Sequence, residues 1–379
     1  MDRATPAGAA ALEVGAWASY FGRRFAQAAQ FAADGALAAP DAATRARCLA
    51  VGGRTWHAAG DLAQAELLLG EAMSLADGAD RVTAAAWLGV VRSHQSRVSE
   101  ALALLRPAAR GQIGVEHTSA TLHALLFTGH AQALAGNGAA ALAAFDQYTA
   151  EVDRRQVPRF AGRAVNFAGW VLRNLGATQR GLEYHLEALA LGGSEGRVEL
   201  TIAALQDLAE TRLDADDPDG TAARLAEAAP HLAGDLVFGW RLEFRQQLLT
   251  SRLALLRGDG ERALELAGAV AAAAAALGVP RYASVARLTG YLAARQLGLP
   301  ADAASIEADL DLLDRSAAIE AWRWTGELGA AYAHAGWLDR AAERVSRLAG
   351  QAGEHAAGLR RVAEARIADW RQNAARITR

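Results

Sequence analysis

Small residues recur in pairs twelve positions apart down nearly the whole chain: Gly53/Ala65, Gly89/Ala101, Gly129/Ala141, Gly169/Gly181, Ala209/Thr221, Ser251/Ala263 and Gly329/Ala341. The second members of the middle pairs fall at 101, 141, 181 and 221, a period of about 40 residues, within the range of solenoid repeats. Around each pair the apolar positions keep helical spacing. Leu49, Gly52, Gly53 and Trp56 share one face, and Leu62, Ala65, Leu69 and Ala72 form a second stripe. Between them Gly60-Asp61 reads as a stop and a start, with glycine closing one helix and aspartate capping the next. The residues at 53 and 65 then mark where the two axes come closest, a steric demand rather than a chemical one. Nothing alternates with the period of strands separated by hairpin turns.

This pattern predicts an all-α fold of about nine helical hairpins over residues 1–350, followed by a basic capping helix over 351–379. The residues resemble the tetratricopeptide repeat, with its first-helix Leu-Gly pair, a following aromatic, a turn, and then alanine and apolar positions on the second helix. The best copy is Leu328-Gly329, Tyr332, Gly336-Trp337-Leu338, Ala341, Val345 and Leu348. Another is Ala168-Gly169, Leu172, Gly176, Gly181 and Ala188. The resemblance covers roughly residues 9 to 350 and implies a right-handed α-α superhelix. The repeats exceed the roughly 34-residue consensus and are similar to those in sensor domains of MalT-like bacterial transcriptional regulators. No segment matches the NTPase or DNA-binding domain of those regulators. In length and repeat content the chain is also similar to stand-alone peptide-pheromone receptors of the Rap type, which use asparagines in their groove. Two copies depart from the pattern: Tyr291 takes the small position of the eighth hairpin, beside Gly290, and the first hairpin keeps only Ala16, Ala28 and Pro40 in register.

Composition narrows the function. The hydrophobic fraction is 52%, much of it alanine, and among the 8 prolines Pro40, Pro158, Pro230, Pro280 and Pro300 mark ends of elements. All 39 residues of the Lys+Arg count are arginine. Without lysine there is no P-loop lysine, no kinase strand lysine and no Schiff base with pyridoxal phosphate. The single cysteine, Cys48, permits neither an intrachain disulfide nor a multi-cysteine zinc site, and reads as a buried packing thiol. No secretion signal opens the sequence, and the longest apolar run, Leu266 to Val279, is too short and alanine-rich to span a bilayer. A cytoplasmic protein needing no cofactor or metal is expected. The formal net charge of -3 argues against a nucleic-acid partner. The terminal segment is locally basic, with Leu359, Val362 or Ala363, Ile367 and Trp370 as an apolar face.

The resemblance points to the concave groove, which positions 2, 5, 9 and 12 of each first helix line. Taking the small residue as position 8, these fall on Arg163, Asn166, Trp170 and Arg173 of the fifth hairpin, with Asn174 next to them. Helical spacing groups 163, 166, 170 and 174 on one stripe independently. Neighbouring hairpins add His123 and His130, Gln206 and Glu210, and Arg245 and Arg252. Arginine forks suit carboxylates or phosphates, asparagine pairs with peptide backbone, and Trp170 offers a stacking wall. The leading expectation is a regulatory sensor or adaptor that binds a peptide or protein in a polar, arginine-lined groove. Two alternatives stand beside it. One is an enzyme using His123, His130, Glu210 and the arginines for acid-base and anion chemistry. The other is a structural assembly subunit, recognisable by exposed tryptophans such as Trp17 or Trp240.

Overall fold

A computed structural model describes residues 6–194 and 196–377, and shows helices and no strands among them. The first three hairpins are α1 (Pro6–Phe21) with α2 (Phe25–Ala38), α3 (Ala42–Ala59) with α4 (Leu62–Leu75), and α5 (Gly78–His94) with α6 (Val98–Ala109). Then come α7 (Thr118–Leu134) with α8 (Gly138–Arg155), α9 (Arg163–Asn174) with α10 (Thr178–Ser194), and α11 (Val198–Leu213) with α12 (Pro218–Ala228). The last three are α13 (Gly239–Leu256) with α14 (Gly260–Leu277), α15 (Pro280–Gln296) with α16 (Ala303–Ser316), and α17 (Ala318–Ala331) with α18 (Ala335–Ala349). A single helix, α19 (Ala356–Ile377), ends the described chain. None of these helices is long and apolar enough to cross a membrane.

Local chemistry sets the boundaries. Gly60 adopts φ 99° after α3, and the Asp61 carboxylate accepts from the Gln64 amide at 2.8 Å to begin α4. Asp217, Asp259 and Asp302 cap α12, α14 and α16 in the same way. The paired small residues sit where partner helices touch. A Cβ on Gly181 would come within 2.8 Å of the Gly169 carbonyl oxygen, and one on Gly169 within 3.0 Å of the Gly181 carbonyl oxygen. The two backbones therefore meet directly. The eighth hairpin, whose phase the sequence leaves open, keeps Tyr291 at the small position, its hydroxyl donating to Asp309 Oδ2 of α16 at 3.0 Å. The first hairpin forms despite its sparse signal, with Ala16 and Ala28 fully buried.

The coil returns onto itself. Arg23 pairs with Glu199 and the Trp240 indole donates to the His57 carbonyl, over sequence separations of 176 and 183 residues. The Phe238 amide donates to the Ala58 carbonyl at 3.1 Å, and the Ala139 amide to the Gln351 carbonyl at 3.0 Å. These contacts form a seam between successive turns. Trp17 and Trp240 are both half-buried against their own chain. α19 goes further than covering the last hairpin: Leu359 and Val362 pack on Gly176, Trp370 lies against Gly326, and Arg366 donates to the Asp214 carbonyl.

Candidate ligand-binding hollow

Six successive first helices turn one stripe each toward a common interior. Gly162, at φ 84°, lets the chain pass from the short turn Pro158–Phe160 into α9. Arg163, Asn166 and Trp170 then line a cavity of about 90 Å³, and Arg173 and Asn174 an adjoining one of about 510 Å³. The smaller cavity lies toward the N-terminal ends of α9, α11, α13 and α15 and against the middle and later turns of α7. His123, Phe127 and His130 come from α7, Leu200 and Ala203 from α11, Arg241 and Leu242 from α13, and Tyr282 from α15. The larger is walled by Glu210, Asp214, Arg252, Glu320, Arg323, Trp324 and Glu327, with Arg366, Asp369 and Trp370 entering from α19.

Most of the charge between these cavities is internally paired. Arg173 binds Glu210 at 2.8 Å and Asp214 at 2.9 Å. Arg323 takes the same Asp214 at 2.5 Å and donates to the Arg173 carbonyl. Arg245 bridges Asp207 and Glu210. Asn166 donates to Asp207 Oδ2 at 2.7 Å, and its own oxygen lies 3.0 Å from His185 Nδ1. Three guanidiniums thus face three carboxylates. Burial pushes these carboxyl groups toward the neutral acid, and the arginines override it. Asp214 is held down at about 2 by Arg323 and Arg173, and Glu210 falls far below the carboxylate range beside Arg173 and Arg245. Across the hollow the Trp170 indole donates to Glu320 at 2.9 Å, and Arg281 pairs with the same carboxylate 5.0 Å from the Trp170 ring.

The residues expected in the groove therefore divide by situation. Arg163 and Trp170 face the small cavity, Trp170 as the expected aromatic wall. Arg173, Glu210 and Arg245 face the hollow as an ion-pair network with Asp207 and Asp214, and Asn166 is held by Asp207 and His185. Asn174 donates to the Trp170 carbonyl in its own helix, and Arg252 meets Glu327 at 3.3 Å beside Trp324. Gln206 lines neither cavity; it is fully buried and ties α11 to α13 through the Leu242 carbonyl. His123 and His130 line the small cavity, with Nδ1 near the Ser119 carbonyl and Ser93 Oγ respectively. Burial first, then nearby arginines, drives both imidazoles well below their ordinary pKa. Ser93 is wholly buried, so its contact with His130 is closed to any substrate. No group of three or more His, Cys, Asp or Glu among the described residues is placed to hold a metal ion.

Position counting passed over Arg241, Arg281 and Glu320. Each lies before position 2 of its helix, so the inward stripe extends one turn further upstream than the repeat frame suggests. Arg241 differs from the rest of the interior. Its Nε is buried with no hydrogen-bond partner, no carboxylate pairs with it among the described residues, and its guanidinium lies 5.7 Å from the Phe167 ring. Among the described residues no acid pairs with Arg163 either, and its guanidinium lies 5.9 Å from the Phe160 ring.

No family model matches the sequence, and no curated protein does. Among solved structures the chain is similar to a Rap protein complexed with Competence and Sporulation Factor, with a TM-score of 0.63 at 14% identity over 97% of this chain and 100% of that one. A signal transduction ATPase with numerous domains and a tetratricopeptide repeat sensor, from Pyrococcus horikoshii, gives a TM-score of 0.48 at 14% identity. That alignment covers 81% of this chain and 46% of the other. The fold is a tetratricopeptide-like all-α solenoid along its whole described length.

Proposed function

We propose that this chain is a regulatory sensor or adaptor that binds an extended peptide or protein segment inside its hollow. One observation carries the reading: the inner faces of six consecutive first helices join into two adjoining cavities, one aromatic and one polar. An extended chain could lay an apolar residue against Trp170 and Phe167 and its backbone along the polar wall. The Rap protein of like fold was solved in complex with Competence and Sporulation Factor, which agrees with a binding role for this architecture.

Removing Arg173 or Asn166 would chiefly break the internal network, so occlusion of the cavities is the sharper test. Ala203→Phe fills the smaller cavity and Asn373→Trp intrudes on the larger. Affinity selection from a synthetic hexapeptide library, read by mass spectrometry, should enrich a defined set on the parent protein. Both occluding variants should lose that set by about tenfold or more while keeping their melting temperatures. Equal enrichment on parent and occluded proteins would move binding away from the hollow.

A further inference from the structure

We infer that the smaller cavity is an anchor for a free carboxylate carried on an apolar group, in a peptide its C-terminal residue, with Arg163 and Arg241 as the receiving guanidiniums. The inference rests on the peptide-binding reading and names the chemical end that the hollow selects. The charge inventory is its first support. Of the arginines lining this cavity, Arg245 is spent on Asp207 and Glu210, and Arg281 on Glu320. Of the acids lining it, Glu199 is taken by Arg23 and the Val237 amide, and Asp207 by Arg245 and Asn166. What remains is Arg163 and Arg241, two cations facing the cavity with no acid paired to them among the described residues.

Behind them the imbalance continues. Arg54 is 5% exposed, with Nε and Nη1 unpartnered, and is packed 3.6 Å from the Trp87 ring centroid and 4.8 Å from that of Tyr20. The charges of Arg163 and Arg159 both act against it, and the contacts of Arg159 are aromatic rings. The backbone adds to the imbalance. The four helices that begin around the cavity, α9, α11, α13 and α15, start at Gly162, Arg197, Phe238 and Val279, and none has a side-chain cap. Their positive dipole ends face a site that already has excess cation. The Arg163 and Arg241 side chains are half-buried, and the Arg241 Nε is buried without a partner; leaving such a donor unpaired is costly, and a planar carboxylate relieves it through two parallel hydrogen bonds. The remaining wall is Phe167, Trp170, Phe238 and Leu242, suited to an apolar side chain. A volume of about 90 Å³ limits the occupant to one residue-sized group.

The test needs no knowledge of the natural ligand. N-acetyl-phenylalanine and N-acetyl-phenylalaninamide differ only in the charge of one end, and binding is read by ligand-observed NMR and tryptophan fluorescence. The acid should bind at least about tenfold more tightly than the amide, since hydrogen bonds to charged groups are the stronger kind. Arg241→Met and Arg163→Gln should each remove most of that preference, while phenyl phosphate and inorganic phosphate compete poorly with the acid. Equal binding of acid and amide by the parent protein overturns the inference, as does tighter binding of either phosphate. Neither compound binding, while hexapeptides are still enriched on the hollow, overturns it too and leaves the peptide reading standing. Acid-selective binding with no hexapeptide enriched keeps the carboxylate site and removes the peptide reading.

Discussion

Four imidazoles, His57, His94, His123 and His130, are buried near the small cavity and the seam, and each is kept neutral by its surroundings. His57 Nε2 lies 2.7 Å from His94 Nδ1, and Phe238 and Trp240 close over the pair. Burial, then Arg54, lowers His57 from 6.5 to about 3, and burial lowers the other three well below their ordinary value. Between those limits the unfolded chain takes up protons that the folded protein refuses. Stability therefore falls as pH drops from 6.5 toward 3. At about pH 5 the His57 ring contributes a loss of about 2 kcal/mol, and the other three rings act in the same direction. Melting temperatures at pH 7.5, 6.0 and 5.0 should decline steadily, and less steeply in His94→Phe, which has no proton to accept. A flat profile in the parent protein would contradict the account. Stripe geometry placed Arg163, Trp170, His123 and His130 on the inner face because helical period fixes which side a residue faces. It could not show that Trp170 meets Glu320, 150 residues away, or that Arg173 is consumed by Glu210 of α11 and Asp214 just beyond it. Partner choice between distant helices leaves no local trace.

At the scale of the element, the twelve-residue pairing of small residues is a packing requirement with a checkable energy. Gly181 cannot accept a Cβ without pressing on the Gly169 carbonyl, which is backbone and cannot swing away. Gly181→Ala should destabilise by about 1–3 kcal/mol, the usual cost of overpacking. Gly70, inside α4 with nothing within 4 Å of its would-be Cβ, provides the control. Gly70→Ala should stabilise by about 0.5–1 kcal/mol through helix propensity alone. Chemical denaturation of both variants decides the matter, and equal effects would mean the close approach carries no load. The same contrast explains why the hairpins were legible in the sequence. Where backbones touch, only the smallest residues fit, so sequence records the contact directly. Closure of the coil uses Trp240 on Gly60, Leu348 near Gly136 and Val362 on Gly176. Each of those pairs is an ordinary apolar residue and a turn glycine, indistinguishable in sequence from a hairpin end. α19 reads as a cap for the same reason: its apolar stripe shows in the sequence, and the polar cavity it enters does not.

For the whole molecule, one short segment joins the seam to the small cavity. The Phe238 amide and the Trp240 indole hold the turn containing α3, while Val237, Phe238 and Arg241 line the cavity. The cavity thus shares this segment with the seam, so an occupant held by Arg241 favours closure by whatever difference in affinity it has for the two states. Trp240→Ala removes the indole contacts with His57, His94 and Gly60 across the seam and one edge contact with Tyr282 of α15, so helicity should be preserved while the radius of gyration rises. The apparent dissociation constant for N-acetyl-phenylalanine should increase in inverse proportion to the closed fraction that remains. Saturating acid should then draw the scattering curve of Trp240→Ala back toward that of the parent protein, and the amide should leave it unchanged. A variant that scatters like the parent protein would show that stacking of hairpins alone sets the curvature, with the seam resting on it passively. A variant that opens yet binds the acid with parental affinity would separate cavity from closure, and the hollow would then be a fixed receptacle with no means of signalling its occupancy through shape.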